Sequence, residues 1–313
     1  YFLVKSKFFL KKKNINNKIL FFGFLAHFNE RYKDGISLDY WNKLDEFIDK
    51  KKIDVSWIYF YYPSSFLRSI NHARNYINLI NNKLENTSDH QLIDNYYTKL
   101  DVIICLLKFF FSILKNIILK KKIAKLFFNN NFLFLLSTKE TFLKSIFGYS
   151  YFENILLKKT FNNFFLTMGT NNKIIYLMEN QKWEKILNFY CFNKKVTSYG
   201  FPHSGIREMD FRYFLNHNNI LMKKYLPSNL IVHSKDSLKW SKDINFNKKR
   251  IIKLESLRFL KNKFFNFKYK NKNNLYSRSK SCMIFLDIYD KNKSPILNVF
   301  KKLNDEKIIK NIY

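Results

Sequence analysis

One segment of this chain leaves little freedom in how it can fold. KIIYLM (173–178) is a continuous apolar run that stops at Glu179 and Asn180. QKWEKILNFYCF (181–192) follows, with Trp183, Ile186, Leu187 and Tyr190 at helical spacing and Glu184, Lys185 and Asn188 on the opposite side. VTSYGF (196–201) is a second apolar run, ending in Pro202-His203. A short buried run, an amphipathic helix and another buried run make a β-α-β unit, and such crossovers build parallel sheets.

The same order recurs along the chain. KILFFGFLAHF (18–28) reads as a strand. SLDYWNKLDEFIDKKK (37–52) reads as a helix that Ser37 can cap, with Leu38, Trp41, Leu44, Phe47 and Ile48 on one side. DVSWIYFYYP (54–63) returns to strand character. Residues 66–98 read as helical and polar-faced, NNNFLFLLST (129–138) as a strand candidate, and 139–170 as helix. NLIVHS (229–234) and KRIIKLESLRFL (249–260) are two further strands, the first leading into a helical KDSLKWSKDI. After a basic, Asn-rich linker at 261–280, CMIFLDIYD (282–290) and SPILNVFKKLNDEKIIKN (294–311) read as the first strand and helix of a second α/β domain. The expected organisation is a lead-in at 1–15, an α/β domain at 16–260 with a helical insertion near 103–128, the linker, and a truncated second domain at 281–313. A start at Tyr1 rather than Met fits a shortened chain.

With 47% hydrophobic residues, including 35 Phe and 20 Tyr, the chain can bury a large core and is not a disordered tail. Six Gly and four Pro argue against linker repeats and against a turn-dense β-sandwich. The 56 Lys and Arg against 24 Asp and Glu leave a formal charge of +32. Such a surface attracts anionic lipid, nucleic acid or phosphorylated substrates. An A/T-rich coding sequence also produces this mixture of Lys, Asn, Ile, Phe and Tyr. The lysines are scattered and no nucleic-acid module is recognisable, so nucleic acid is not expected as a partner. Cys105, Cys191 and Cys282 form neither a CxxC pair nor an even disulfide framework, which fits a reducing cytosol.

IICLLKFFFSILKNIILKKKIAKLFF (103–128) has an apolar core of borderline length for a membrane span. Lys108, Lys115 and Lys122 fall seven apart, with Ser112 and Asn116 between them, giving a polar stripe along one side of a helix. Three readings stay open: a helix lying in the membrane interface, an ordinary packed helix, and a spanning one.

In an open parallel sheet, ligands bind beyond the carboxyl ends of the strands. Glu179 and His203 follow successive strands there. His203 can act as general base toward an acceptor hydroxyl or, protonated, bind phosphate; equally, it can be a loop histidine bonded to backbone. Ser204 and Gly205 can open a helix whose free amides bind an anion. Glu179 can hold the histidine tautomer, act as a base or bind sugar hydroxyls, or serve as an acid at a helix start. Arg207 and Arg212 can grip phosphate or lie solvated on the surface. Asn180, Ser234, Glu255 and Arg258 complete the candidate substrate contacts, the last two also explicable as a local pair. No Walker loop, GxGxxG, GxSxG elbow or metal-ligand spacing appears.

YLMENQKWEKILN, GFPHSGIREMDFRYF, LPSNLIVHS and KLESLRFL stand in an order that resembles the bacterial surface carbohydrate (O-antigen and capsule) biosynthesis proteins, glycosyltransferases similar to the GT-B class. The likeness covers most of 16–260, with DYWNKLDEFI and VSWIYFY matching more loosely. It implies two Rossmann-like domains and metal-independent transfer of a sugar from a nucleotide-sugar donor to a glycan or lipid-linked acceptor. It also implies no cofactor beyond the donor itself; with the strand-end positions it makes His203 and Glu179 the expected catalytic residues, and with the charge it makes the expected location cytoplasmic and peripheral on the inner face of the membrane, against an anionic surface. The alternatives are a polyol-phosphate transferase of the same architecture and a non-catalytic membrane-surface scaffold.

Overall fold

The computed structural model describes residues 18–25, 41, 44–63, 67–83, 88–128, 140, 143–169, 171–202, 220–233, 237–239, 241, 246–254, 281–282 and 311–312. The chain divides into two units, Tyr1–Lys261 and Asn262–Tyr313. In the second, Ser281–Cys282 pairs in parallel with Asn311–Ile312. Asn311 is therefore extended, although it closes the segment expected to be helical.

The first unit is built on a seven-stranded sheet in which every pairing is parallel. Its strands are β1 (Ile19–Phe24), β2 (Val55–Phe60), β3 (Ser88–Leu92), β4 (Lys173–Met178), β5 (Thr197–Pro202), β6 (Asn229–Val232) and β7 (Ile251–Lys253). Helix α1 (Leu44–Lys51) joins β1 to β2, and α2 (Ile70–Lys83) joins β2 to β3. A 3₁₀ turn (Ile93–Tyr96), α3 (Lys99–Phe128) and α4 (Tyr149–Leu166) lead to β4. Helix α5 (Lys182–Lys194) joins β4 to β5, and a short α6 (Ile220–Lys223) precedes β6.

The strand order is β3-β2-β1-β4-β5-β6-β7. The chain builds outward from β1 to one edge, crosses over, and builds outward the other way from β4. This is a Rossmann-like doubly wound arrangement, with its topological switch point between β1 and β4. Alternation along the strands splits the core into two layers, because successive side chains point to opposite faces. Leu20, Phe22, Ile58, Phe60, Ile174 and Tyr176 pack against α4 and α5 through Phe161, Phe164, Trp183 and Leu187. Phe21, Trp57 and Tyr59 meet Trp41, Ile48 and the α2 residues Ala73, Ile77 and Ile80 on the other face. Burial on both faces is why β1, β2 and β4 read as near-continuous apolar runs.

Two sequence expectations need correction. The segment 66–98 is not one helix: α2 ends at Lys83 and β3 follows. β3 has the sequence SDHQL, too polar to signal a strand, because side chains satisfy its outer edge. Asn81 donates to the His90 carbonyl and accepts the His90 N–H, both at 2.9 Å, so the end of α2 takes the place of a further strand. The His90 ring stacks on Tyr59 at 5.8 Å, and its Nδ1 meets the Tyr59 hydroxyl at 2.9 Å. Burial lowers the imidazole to about 3, so it is neutral.

The second correction concerns α5. Glu184 and Asn188, expected on its polar outer side, are each only 2% exposed. The Asn188 amide donates to the Tyr176 hydroxyl at 2.8 Å and accepts from the Ser198 hydroxyl at 3.1 Å, which ties α5 to β4 and β5. In α3, Lys108, Ser112, Lys115, Asn116 and Lys122 fall within about 120° of one another around the helix, the stripe expected, but its exposure changes across its width. The three lysines are exposed, whereas Ser112 and Asn116 are half-buried and Asn116 donates to the Ile146 carbonyl at 3.2 Å. The strand candidate at 129–138 lies outside the described residues.

Candidate functional site

The carboxyl end of β4 borders the switch point, and the loop that leaves it is held from below. Glu184, one turn into α5, turns its carboxylate back toward the loop. Oε1 accepts the backbone N–H groups of Glu179 at 2.9 Å and Gln181 at 3.1 Å, and Oε2 accepts that of Asn180 at 3.0 Å. This extends a reciprocal capping box between Gln181 and Glu184. Burial pushes the Glu184 carboxyl up to about 7 against the opposing pull of those three N–H donors, and the charge of Glu179 adds to the rise. An internal carboxylate thus occupies the amides that a phosphate would otherwise use at this helix start.

Above that anchor lies a relay of side chains. Trp183 Nε1 donates to Gln181 Oε1 at 3.0 Å, and Gln181 Nε2 donates to Glu179 Oε2 at 2.5 Å. The buried Trp183 ring packs on Phe60 of β2 at 4.7 Å and edge-on to Phe24 of β1 at 6.0 Å. One indole therefore links the ends of three neighbouring strands and orients the Glu179 carboxylate through Gln181. Asn180 adopts the left-handed backbone, with φ 57°, which its short polar side chain tolerates. Its Nδ2 is buried and has no hydrogen-bond partner. An orphaned donor of this kind is costly and calls for an explanation.

Further along the rim, His233 at the end of β6 bridges its neighbours. Nε2 contacts the Pro202 carbonyl at 2.8 Å and Nδ1 the Leu254 carbonyl at 3.2 Å, while the ring meets Phe201 at 4.5 Å. A carbonyl only accepts, so any hydrogen bond here is donated by the ring. This histidine closes the ends of β5, β6 and β7 together.

Of the residues singled out by sequence, Glu179 and Asn180 lie together on the rim beside the switch point. His203, Ser204, Gly205, Arg207, Arg212, Ser234, Glu255 and Arg258 lie outside the described residues. Sequence reasoning missed Glu184, Trp183 and His233 as organisers of the rim. The spacing Gln181-x-x-Glu184 was an available signal for the first of these. Among the described residues, no three His, Cys, Asp or Glu side chains converge on a metal position. No protein-family model matches the chain, nor does any curated protein or solved structure. The architecture is Rossmann-like in the general sense, an all-parallel sheet of a kind compatible with nucleotide-binding and transferase-type enzymes.

Proposed function

We propose that this chain is a glycosyltransferase of surface polysaccharide synthesis that binds a nucleotide-sugar donor and a glycan or lipid-linked acceptor at the rim beside β1 and β4. The observation that carries this reading is the pairing of an oriented carboxylate, Glu179, with the orphaned amide of Asn180 at the switch point of a Rossmann-like sheet. Doubly wound sheets bind ligands at that place. A carboxylate accepts hydroxyl protons and an amide N–H donates to hydroxyl or carbonyl oxygen, so the pair suits a sugar or ribose. Glu184 already fills the nearby backbone amides, so phosphate is not the group expected at this part of the rim.

In this reading His203, the residue after β5, takes the proton from the acceptor hydroxyl as that oxygen attacks the anomeric carbon and the nucleotide leaves. Glu179 holds a donor or acceptor hydroxyl at the end of β4. Arg207 and Arg212 follow in the same segment and supply charge for the departing phosphate.

The test is titration calorimetry of the full chain with a panel of nucleotide sugars and their nucleotides, together with a nucleotide-release assay. Asn180→Ala and Glu179→Gln should each weaken donor or acceptor binding about tenfold, the loss of one charge-assisted or buried hydrogen bond. His203→Ala should lower turnover by about 10² to 10⁴ with little change in donor affinity. Binding that ignores both rim substitutions would remove the site from these residues. Wild-type turnover in His203→Ala would remove the base.

A further inference from the structure

Helix α3 presents two different faces. Toward α4 it turns the buried Val102 and Cys105, along with Phe109, whose ring meets Phe152 at 5.8 Å. Asp101 closes this inner face with an ion pair to Lys159 at 3.1 Å, and Asn116 bonds the Ile146 carbonyl. Away from α4, Ile103, Leu107, Phe110, Phe111, Leu114 and Ile118 recur at intervals of three and four. Each is at least half exposed, Phe111 by 71% and Ile118 by 82%. At 3.6 residues per turn they share an arc of about 100°. A contiguous apolar surface of this extent marks an interaction face.

The charge beside this face says what covers it. Lys108, Lys115 and Lys122, all exposed, follow one border of the arc at seven-residue intervals. From Val102 to the end of α3 at Phe128 there is no Asp or Glu, while the last turns carry Lys120, Lys121, Lys122 and Lys125 in sequence. Lysine stems can lie along apolar surface while their ammonium groups stay at the level of lipid phosphates. An apolar stripe bordered by lysines, on a chain of net charge +32, complements an anionic bilayer.

The stretch Lys99–Leu119 is long and apolar enough to cross a membrane, by length and composition. Its inner face, however, is committed to α4, which itself packs on the sheet. Crossing would draw α4 and the Asp101–Lys159 pair toward hydrocarbon, where charged groups are costly. Lying along the surface immerses only the outward face and leaves the α/β unit in water.

We infer that the outward face of α3 docks this protein on an anionic lipid bilayer, with its apolar side chains among the upper acyl chains and its lysine row at the phosphates. The inference is independent of the chemistry proposed at the strand ends.

The test uses the full chain and vesicles of phosphatidylcholine, alone or mixed with phosphatidylglycerol. Flotation should be at least about tenfold stronger with the anionic vesicles. Phe111→Ser with Ile118→Ser should reduce it by about tenfold or more, and neutralising Lys108, Lys115 and Lys122 to Gln by about a hundredfold. These side chains are exposed, so both variants should keep the wild-type circular dichroism and melting temperature. Ile118→Trp provides a second reading, as emission that shifts to the blue on anionic vesicles and is quenched by brominated acyl chains. Flotation insensitive to the substitutions would overturn the inference, as would equal flotation on neutral vesicles. Resistance to alkaline carbonate would overturn it in favour of a spanning helix. A dimer that Phe111→Ser with Ile118→Ser makes monomeric, without loss of flotation, would assign the face to a second copy of the chain.

Discussion

Glu184 Oε1 accepts the backbone N–H of Glu179 at 2.9 Å, so the first turn of α5 fixes the first residue beyond β4. The bond joins a buried carboxylate to the position where a ligand would meet the strand ends. Folding raises this carboxyl from 4.5 to about 7, with burial as the main cause. A carboxyl raised on folding contributes stability that is fully present below 4.5 and lost as pH rises through about 7. The unfolding free energy of wild type relative to Glu184→Gln should therefore fall across that window and be flat above it. Urea melts of the two proteins at a series of pH values check this, and a flat difference would remove the assignment. Glu184→Ala should cost about 1–3 kcal/mol through loss of the cap.

His90 should show the opposite sign. Its imidazole is lowered from 6.5 to about 3 by burial, so its contribution is present above 6.5 and lost as pH falls toward 3. Replacing it with Gln should remove that acid-side loss from the pH profile. Tyr59→Phe, which strips the partner from a buried ring nitrogen, should cost about 1–3 kcal/mol in a denaturant melt.

Gly200 lies mid-strand in β5, where a Cβ would come within 2.7 Å of Met178 Sδ and 3.0 Å of Pro227 Cγ. The thioether can move, but the proline ring has little room to do so. Gly200→Ala is expected to destabilise by about 1–3 kcal/mol, read as a lower urea midpoint with an unchanged slope. Wild-type stability would show that β5 and the Pro227 segment pack less closely than described.

His233→Ala removes the bridge between the Pro202 and Leu254 carbonyls. The Leu254 N–H, bonded to the Val232 carbonyl at 3.0 Å, should then exchange with solvent faster, by about five- to tenfold, while amides in β1 and β2 keep their protection. Equal exchange in the two proteins would mean that β7 is held by its ladder alone.

The sheet was legible where strands are buried on both faces. KIIYLM and VSWIYF announce themselves because every position is apolar or aromatic, save Lys173 at one strand start and Ser56, and the amphipathic helices follow the 3.6 period. β3 was not legible, since its outer edge is satisfied by Asn81 and its histidine by Tyr59, partners distant in sequence. Asn188 was misread because its partners Tyr176, Ser198 and Tyr225 lie on other elements, whereas Glu184 bonds the loop just before it, which its capping-box spacing could have shown. The β-α-β order was enough to bring Glu179 and Asn180 to a strand end. Their position beside β1 was not available from order along the chain, because strand adjacency follows the crossover after β3.

By itself, then, the sequence determined the strands that are buried on both faces, the amphipathic helices between them and their parallel run, since hydrophobic period and spacing are local quantities. Only the tertiary structure decided the switch point, the packing of Trp183 on Phe60 and Phe24, and which side of α3 remains apolar and exposed. Each of these depends on which distant groups come within hydrogen-bonding or packing distance, and no local pattern encodes that.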